Sequence, residues 1–249
     1  MTPAEHGAAP SGDASPETQA RCRDNWQAVI DRVAAACRQA GRGADTVRVI
    51  GVTKYVGLPL TQAVLAAGCR DLGESRPQAL WEKAAAIGGE PPPRWHLIGH
   101  LQRNKVAKTL AARPLIHTVD SERLAVALSR EAIAGGNEAE LLIEINLAGD
   151  TGRSGVEPSA AAELVSQVNS LPGLRLLGLM GMASHPEAGR DPRQEFAGLR
   201  RLRDQLVDRF PEAGDLSELS MGMSGDFEAA ILEGSTMVRI GSALFEGLE

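Results

Sequence analysis

One lysine follows an apolar run, and its amine could react with an aldehyde. The stretch from Val47 to Val56 reads VRVIGVTKYV, and Lys54 follows its apolar part, next to the chain's only tyrosine, Tyr55. A lysine amine condenses with an aldehyde to form a Schiff base, and desolvation or nearby positive charge favours the neutral, nucleophilic form. Lys54 is therefore a candidate covalent anchor for an aldehyde. The alternative is an ordinary strand-end lysine that reaches solvent.

A turn near the C-terminus could bind an anion. The segment MSGD passes directly into a helical pattern, so Ser224 and the amide of Gly225 would lie at a helix N-terminus. Free N–H groups and the positive end of the helix dipole favour a phosphate there. Gly241 and Ser242, in the last apolar run, could supply further amide donors. The alternative is that Ser224 only caps its helix and Gly241 only turns the chain.

An anion site and an amine at one place suit a phosphorylated aldehyde. Pyridoxal 5'-phosphate (PLP) is such a ligand. The residue spacing alone does not separate PLP from a sugar phosphate that forms a transient imine.

A regular alternation of apolar runs and amphipathic helical patterns must position these residues. Strict alternation implies a parallel sheet, because each crossover needs a helix to return. Eight repeats in about 200 residues fit a (β/α)8 TIM barrel. A doubly wound open sheet is the alternative, weakened because no GxGxxG follows the first strand. The eight runs are Val47–Tyr55, Cys69–Ser75, Arg94–His100, Leu115–Ser121, Glu140–Leu147, Leu174–Ser184, Leu219–Ser224 and Met237–Leu244.

The barrel prediction places the polar residues on one face. Functional residues of such barrels lie where strands end and enter the following loops, and a phosphate site after strands seven and eight recurs in this fold. Polar residues at or just after the ends of the predicted strands are Lys54, Glu74, His100, Asn146, Arg153, Ser224 and Arg239. We therefore expect them to converge at the C-terminal face.

Composition sets the remaining limits. Residues 1–15 are rich in Ala, Gly, Pro and Ser, which predicts a disordered tail. Residues 16–249 then form one domain, which opens with a helix capped by Ser15. A net charge of −6 without a dense basic run argues against nucleic-acid binding. No signal peptide and no run of about 18 apolar residues is present. The three cysteines form no CxxC motif and fit a reducing compartment, so a cytoplasmic location is expected.

Seven segments resemble the pyridoxal phosphate homeostasis protein family, single-domain relatives of the alanine racemase N-terminal barrel. They extend from Val49 to Gly247. The segments are VIGVTKYV, LGESRPQALWEKA, WHLIGHLQRNK, HTVDS, EINLAGDTGRSGV, LRLLGLMGMAS and LSMGMSGDFEAAILEGSTMVRIGSALFEG. The resemblance implies an alanine racemase-like barrel with an N-terminal helix, and a PLP-binding protein that carries or buffers the intracellular cofactor.

The resemblance also implies a role for individual residues. Lys54 matches the lysine that holds PLP as a Schiff base, and Arg239 matches the arginine that faces the pyridine nitrogen. Arg153 resembles the basic residue near the 3'-oxygen. Ser224 and Gly225 match the phosphate-binding turn, and Gly241 and Ser242 match its second wall. Asn146 and Met221 match positions that line the pocket.

Two departures from the family pattern stand out. The family commonly has Gly-Glu-Asn where this chain has Gly-Glu-Ser75, which puts any side-chain contact of that amide in doubt. The frequent Lys-Thr-Lys-Pro is replaced here by Lys54-Tyr55-Val56-Gly57, so only one lysine remains to form the imine. Whether Lys83 or Lys105 offers a second, transient cofactor site stays open.

We expect no catalysis. A racemase needs a base on each face of the cofactor, and the second base of alanine racemases comes from a further domain, which this sequence, ending at Glu249, does not contain. Tyr55 would point away from Lys54 if its backbone is extended. Arg239 stays protonated and so disfavours a proton on the pyridine nitrogen, which weakens the ring as an electron sink.

Three alternatives to a carrier remain. One is a weak PLP-dependent amino-acid racemase, and another is a sugar-phosphate barrel enzyme. A third is a metal hydrolase that uses His96 and His100, although a catalytic zinc needs a third protein ligand and none is evident. The expected partners are PLP and PLP-dependent apoenzymes, with no nucleic acid and no membrane, and the expected state is a monomer.

Overall fold

Eight parallel strands close into a barrel in the computed structural model. Each strand pairs with the next along the chain, and β8 pairs with β1. The structure describes residues 14–149, 152–214 and 216–248, without the side chain of residue 186. The strands are β1 (Arg48–Val52), β2 (Asp71–Glu74), β3 (Arg94–Leu97), β4 (Leu115–Val119), β5 (Ala139–Ile145), β6 (Leu174–Gly181), β7 (Glu218–Met223) and β8 (Met237–Ile240). The predicted TIM barrel is confirmed, and the open sheet is wrong.

A helix follows each of the first seven strands, and one more precedes β1. They are α1 (Pro16–Gln39), α2 (Leu58–Ala66), α3 (Pro77–Ala86), α4 (Val106–Leu110), α5 (Glu122–Ala134), α6 (Ala161–Ser170), α7 (Pro192–Arg209) and α8 (Phe227–Leu232). β8 is followed only by a short 3-10 turn, Ser242–Leu244. Helix α1 contacts both α2 and α8, so it occupies the helix position that β8 leaves open.

The start of α1 agrees with its predicted cap. Ser15 Oγ accepts a hydrogen bond from the backbone N–H of Thr18 at 3.2 Å, which satisfies one of the unpaired amides of the first turn. Most of the predicted disordered tail, residues 1–13, lies outside the described residues, so that prediction is untested. Among the described residues, no helix has both the length and the apolar character needed to cross a bilayer.

Alternation along the strands divides the core into two clusters. Outward-facing residues such as Leu141 and Ile143 pack against the helices, whereas Leu142 between them faces the barrel interior. The inner cluster consists of Ile50, Leu115, Leu142, Met180 and Met237. Burying one such aliphatic side chain contributes roughly 1.5–3 kcal/mol, so both clusters stabilise the barrel.

Several strands end earlier than their apolar runs predicted. β1 ends at Val52 rather than Tyr55, and β6 ends at Gly181 rather than Ser184. The predicted runs extend past the strands into the following loops, where Tyr55 is exposed and Leu244 is buried. Lys54 therefore lies in a loop and not on the strand.

Candidate functional site

Lys54 lies in the turn after β1, at the C-terminal face of the barrel. The N–H of Val56 donates to the carbonyl of Thr53 at 3.1 Å, which closes the turn around Lys54 and Tyr55. The ammonium nitrogen of Lys54 is 4.8 Å from the centroid of the Tyr55 ring, and Tyr55 is 89% exposed. The two side chains were expected to point apart only if the backbone at Tyr55 is extended, and this condition is not met, because β1 ends at Val52 and a turn follows.

A buried ion pair holds this turn. Lys83 Nζ donates to the carbonyl oxygens of Thr53 and Val56, at 2.8 Å each, and to Glu74 Oε1 at 2.5 Å. The hydroxyl of Thr53 donates to the same Glu74 oxygen at 2.7 Å. Glu74 and Lys83 are both buried, and an ionised group is tolerated there only with a partner. The pair therefore fixes the backbone on both sides of Lys54.

The role of Lys83 was not predicted. Its three hydrogen bonds and its burial exclude it as a second, transient cofactor lysine, whereas Lys105 remains half-exposed next to α4. A sequence signal existed, because Lys83 follows Leu80 by three residues on the buried face of α3. A lysine on an apolar helix stripe indicates a buried partner.

The two walls of the predicted phosphate site meet. The N–H of Gly241, after β8, donates to Ser224 Oγ, after β7, at 3.3 Å. Within the described ranges, the backbone N–H groups of Ser224 and Gly225 have no hydrogen-bond acceptor. A methyl group built on Gly225 would meet nothing within 4 Å, so a ligand can approach this backbone closely.

Gly222 makes the approach to this turn possible. Its φ of +94° is left-handed, and an added Cβ would lie 2.6 Å from the Cβ of Ala230 on α8. Beyond it, Asp226 accepts a hydrogen bond from the N–H of Met223 at 2.6 Å. Burial raises the pKa of Asp226, while this bond and the charge of Arg239 act in the opposite direction.

Val52 lies between Lys54 and the predicted phosphate site. The position of a Cβ on Gly241 would be 3.5 Å from the Cβ of Val52, two residues before Lys54. The neighbouring strands β8 and β1 thus bring the candidate anion site beside the candidate amine.

Arg239 is buried in the barrel interior. One of its terminal nitrogens donates to the carbonyl and hydroxyl of Ser220, at 2.8 and 2.7 Å, and the other donates to the carbonyl of Gly181 at 3.1 Å. Desolvation lowers the pKa of Arg239 to about 10, against the opposing charges of Asp226 and Glu144. It is therefore a cation and a hydrogen-bond donor at neutral pH.

Glu144 is a second interior charge that sequence reasoning missed. It lies two residues beyond Leu142 on β5, as Arg239 lies two residues beyond Met237 on β8, so both point inward above the inner cluster. Ser154 donates to Glu144 Oε1 at 2.7 Å. Burial raises the pKa of Glu144, and the hydrogen bond from Ser154 offsets part of this shift.

The loop after β5 folds back onto its own strand. Asn146 is buried directly after β5 and donates its N–H to the carbonyl of Val156 at 2.9 Å. Arg153 donates to the carbonyl of Ala183, after β6, at 3.0 Å. Gly155 permits this close return, because an added Cβ would lie 2.8 Å from the nitrogen of Asn146.

Met221 does not join these residues through its side chain. It is fully buried in the outer cluster between sheet and helices, whereas its neighbour Ser220 faces the interior. The prediction that the Met221 side chain lines the pocket is therefore corrected. Because side chains alternate along a strand, Met221 faces the helices when Ser220 faces the interior.

The histidine pair does not form a metal site. His96 is buried and hydrogen-bonded to Asp71 and His117, while His100 lies beyond the end of β3 and is exposed. No group of three metal-ligating side chains occurs in the part of the chain that the structure describes. The described geometry gives no support to the metal hydrolase alternative.

Comparison with known proteins decides the family. The family model for the alanine racemase N-terminal domain matches residues 25–248. A pyridoxal phosphate homeostasis protein from Aquifex aeolicus is 38% identical over 217 residues, which cover 87% of this chain and 94% of the relative. The chain belongs to the pyridoxal phosphate homeostasis protein family.

Solved structures of similar chains share this barrel. An unknown protein from Bifidobacterium adolescentis is 36% identical with a TM-score of 0.87, and the match covers 94% of this chain and 99% of that one. PipY of Synechococcus elongatus, solved with PLP bound, is 32% identical with a TM-score of 0.76, and the match covers 87% and 99%. Membership of the family thus rests on nearly the whole barrel.

Proposed function

We propose that this protein binds PLP at the C-terminal face of its barrel and acts in PLP homeostasis as a carrier or buffer. The observation that carries the proposal is the contact between Ser224 and Gly241, which builds an anion-binding turn beside the strand end that bears Lys54. The structure of PipY with PLP bound supports it, because that chain is similar over nearly its whole length.

The residues present fit the three polar ends of PLP. The amides of Ser224 and Gly225 lack acceptors among the described residues and would bind the phosphate, with Ser242 next to them. Lys54 would hold the aldehyde as a Schiff base, in which the amine nitrogen bonds to the aldehyde carbon and water leaves. Arg239 would face the pyridine nitrogen as a donor. When bound, PLP supplies an aldehyde conjugated to an electron-withdrawing ring.

Two further residues complete the proposed pocket. Asn146 would line it from the end of β5, and Arg153 would lie near the 3'-oxygen from the following loop. Both belong to the segment that folds back onto β5, which supports a fixed position for them.

The same geometry favours binding of PLP without catalysis. Arg239 keeps its proton at neutral pH, since its pKa is about 10, and it therefore disfavours protonation of a nitrogen that it faces. Tyr55 is exposed and lies against Lys54, so it offers no base on the opposite face. We infer that the protein does not catalyse turnover of amino acids.

A weak racemase is the second candidate, and one observation favours it. Glu144 on β5 is a buried carboxyl group on the strand opposite β1, and Lys54 lies in the turn that follows β1. A carboxyl group with a raised pKa can act as a general base. Exchange of the α-hydrogen of free amino acids for deuterium measures this activity, and brisk exchange that disappears in Glu144→Gln would favour the racemase.

The test of PLP binding is the visible spectrum of the purified protein before and after borohydride. We expect a PLP absorption band, a stable adduct after reduction, and a labelled peptide that contains Lys54. Lys54→Ala should lose the band, whereas Lys105→Ala should keep it. A Lys54→Ala protein with undiminished colour would contradict the proposed covalent link.

The proposal extends to partners and setting. We place the protein in the cytoplasm as a monomer that passes PLP to apoenzymes and binds neither nucleic acid nor membrane. Three buried cysteines that are free, Cys22, Cys37 and Cys69, support a reducing compartment. Reconstitution of a PLP-dependent apoenzyme by the loaded protein, faster than by free PLP at equal concentration, tests the carrier role.

A further inference from the structure

A continuous series of side-chain hydrogen bonds crosses the interior of the barrel and ends at Arg239. Asp71 Oδ1 lies 2.9 Å from His96 Nε2, and His96 Nδ1 lies 2.9 Å from His117 Nε2. His117 Nδ1 lies 2.9 Å from Ser220 Oγ, which accepts from Arg239 at 2.7 Å. We name these five residues the polar chain. Asp71 opens β2, and its side chain is 18% exposed, while the other four members are buried.

Burial disfavours the charged form of both histidine rings in the polar chain. Desolvation lowers the pKa of His96 and lowers the pKa of His117 well below its ordinary value. The hydrogen bond and charge of Asp71 raise the pKa of His96, but burial has the larger effect. The charged groups that act on the two rings are Asp71, Arg48, Arg94 and Arg239.

Neutral rings leave one direction for all four hydrogen bonds. A carboxylate only accepts, so the hydrogen of His96 must be on Nε2, and its Nδ1 must accept from His117 Nε2. The Nδ1 of His117 then accepts the hydroxyl hydrogen of Ser220. A guanidinium only donates, and the Ser220 oxygen still has a lone pair to accept from Arg239. The acceptor at the Asp71 end therefore sets the direction, and the donor at the Arg239 end is compatible with it.

We propose that Asp71, His96, His117 and Ser220 are positioning residues, which orient the guanidinium of Arg239 toward the ligand site through the hydrogen bonds of the polar chain. Each hydrogen bond polarises the next in a region of low dielectric, and the opposite charges at the two ends favour the same direction. The carbonyls of Ser220 and Gly181 fix the guanidinium from two more sides. The link from the polar chain to PLP rests on the function proposed for Arg239.

Nitrogen NMR of the histidine rings tests the direction in the protein without PLP. We expect both rings to be neutral with the hydrogen on Nε2 from about pH 7 to pH 8, because burial lowers the pKa of each ring from its ordinary value. A hydrogen on Nδ1 of either ring, or a charged ring within that range, would overturn the proposed direction.

A matched pair of variants tests whether Asp71 sets this direction. The amide of Asp71→Asn can donate as well as accept, so the single tautomer at His96 should be lost. Glu218→Gln is the control, because Glu218 opens β7 with an equally exposed side chain (18%) and pairs with Arg48 outside the polar chain. Its tautomers should match the wild type. An unchanged His96 in Asp71→Asn, or the same change in both variants, would overturn the role of Asp71.

Ser220→Ala tests the connection to the ligand site. It removes the hydroxyl between His117 and Arg239 but keeps the backbone carbonyl that Arg239 also uses. We expect PLP affinity to fall about tenfold, with a shifted absorption band. Unchanged affinity and spectrum would overturn the positioning role. Failure of the wild type to bind PLP would instead overturn the proposed function, while the NMR experiment still decides the direction of the polar chain.

Discussion

Gly241 donates its backbone N–H to the hydroxyl oxygen of Ser224 across 3.3 Å, which joins the loop after β8 to the loop after β7. The two residues are 17 positions apart in the chain and meet because β7 and β8 are adjacent strands. This contact orders the Ser224–Gly225 backbone, whose amides point to no acceptor among the described residues.

The open space above Gly225 should admit a phosphate but no negative side chain. Gly225→Asp places a carboxylate at that position, so we expect the affinity for PLP to fall at least about 100-fold through charge repulsion and lost access. Titration of the absorption band measures it. Gly198→Asp on α7 is the control, since Gly198 also has nothing within 4 Å of its Cβ position and lies outside the site. Equal affinity in both variants would place the phosphate elsewhere.

The Lys83–Glu74 pair should show strong coupling. Removing one partner leaves the other charge buried and unpaired, so Glu74→Gln and Lys83→Met should each lower the free energy of unfolding by about 3–5 kcal/mol. The double variant should cost clearly less than the sum of the single variants. Urea unfolding of all four proteins measures this cycle, and additive effects would count against a buried ion pair.

The same pair should matter for Lys54. Because Lys83 holds the carbonyls of Thr53 and Val56, folded protein of the double variant should form the borohydride-stable adduct more slowly than the wild type. Equal rates would show that the turn keeps its shape without the pair.

Glu144 should make stability depend on pH. Its pKa is raised in the folded state, so its contribution to stability is fully present below the pKa of the unfolded chain and is lost as pH rises through the folded pKa. Relative to Glu144→Gln, the wild type should therefore lose free energy of unfolding over that interval. Ser154→Ala should move the loss to higher pH, because the hydrogen bond from Ser154 lowers the pKa of Glu144.

Glu140→Gln is the matched control for this pH dependence. Glu140 lies four residues earlier on β5, at the other end of the barrel, and pairs with Arg94 and Arg175 nearer the surface. The difference between wild type and this variant reports the effect of losing a β5 carboxylate that is paired near the surface. Unfolding measured over a pH series decides between the two carboxylates, and a flat difference for Glu144→Gln would exclude a raised pKa.

Met221 should matter for stability and not for ligand binding. Met221→Ala removes a fully buried side chain from the outer cluster, so we expect a loss of about 2–5 kcal/mol in the free energy of unfolding and unchanged PLP affinity in the folded protein. Met223→Ala is the control, because Met223 is 41% exposed and its loss should change stability by less than about 0.5 kcal/mol. Weaker PLP binding by folded Met221→Ala would show that this side chain contributes to the pocket.

The order of strands and helices, and with it the barrel, could be predicted from the amino-acid sequence alone. Local patterns carry this information, because apolar runs and amphipathic stretches report burial over a few neighbouring residues. The same patterns placed Lys54 after β1 and Ser224 and Gly225 before α8. Strand ends were less accurate, since an apolar residue in a buried turn has the same sequence signal as one in a strand.

Contacts between residues that are distant in the chain could not be predicted in this way. His117 and Ser220 are 103 positions apart, and Lys83 reaches a carbonyl 30 positions away. The register of the closed barrel sets such contacts, and a shift of one residue would turn every inward side chain outward. That register determines the direction of the Met221 side chain, the burial of Glu144 and the hydrogen bonds of the polar chain. No local pattern of residues contains this information.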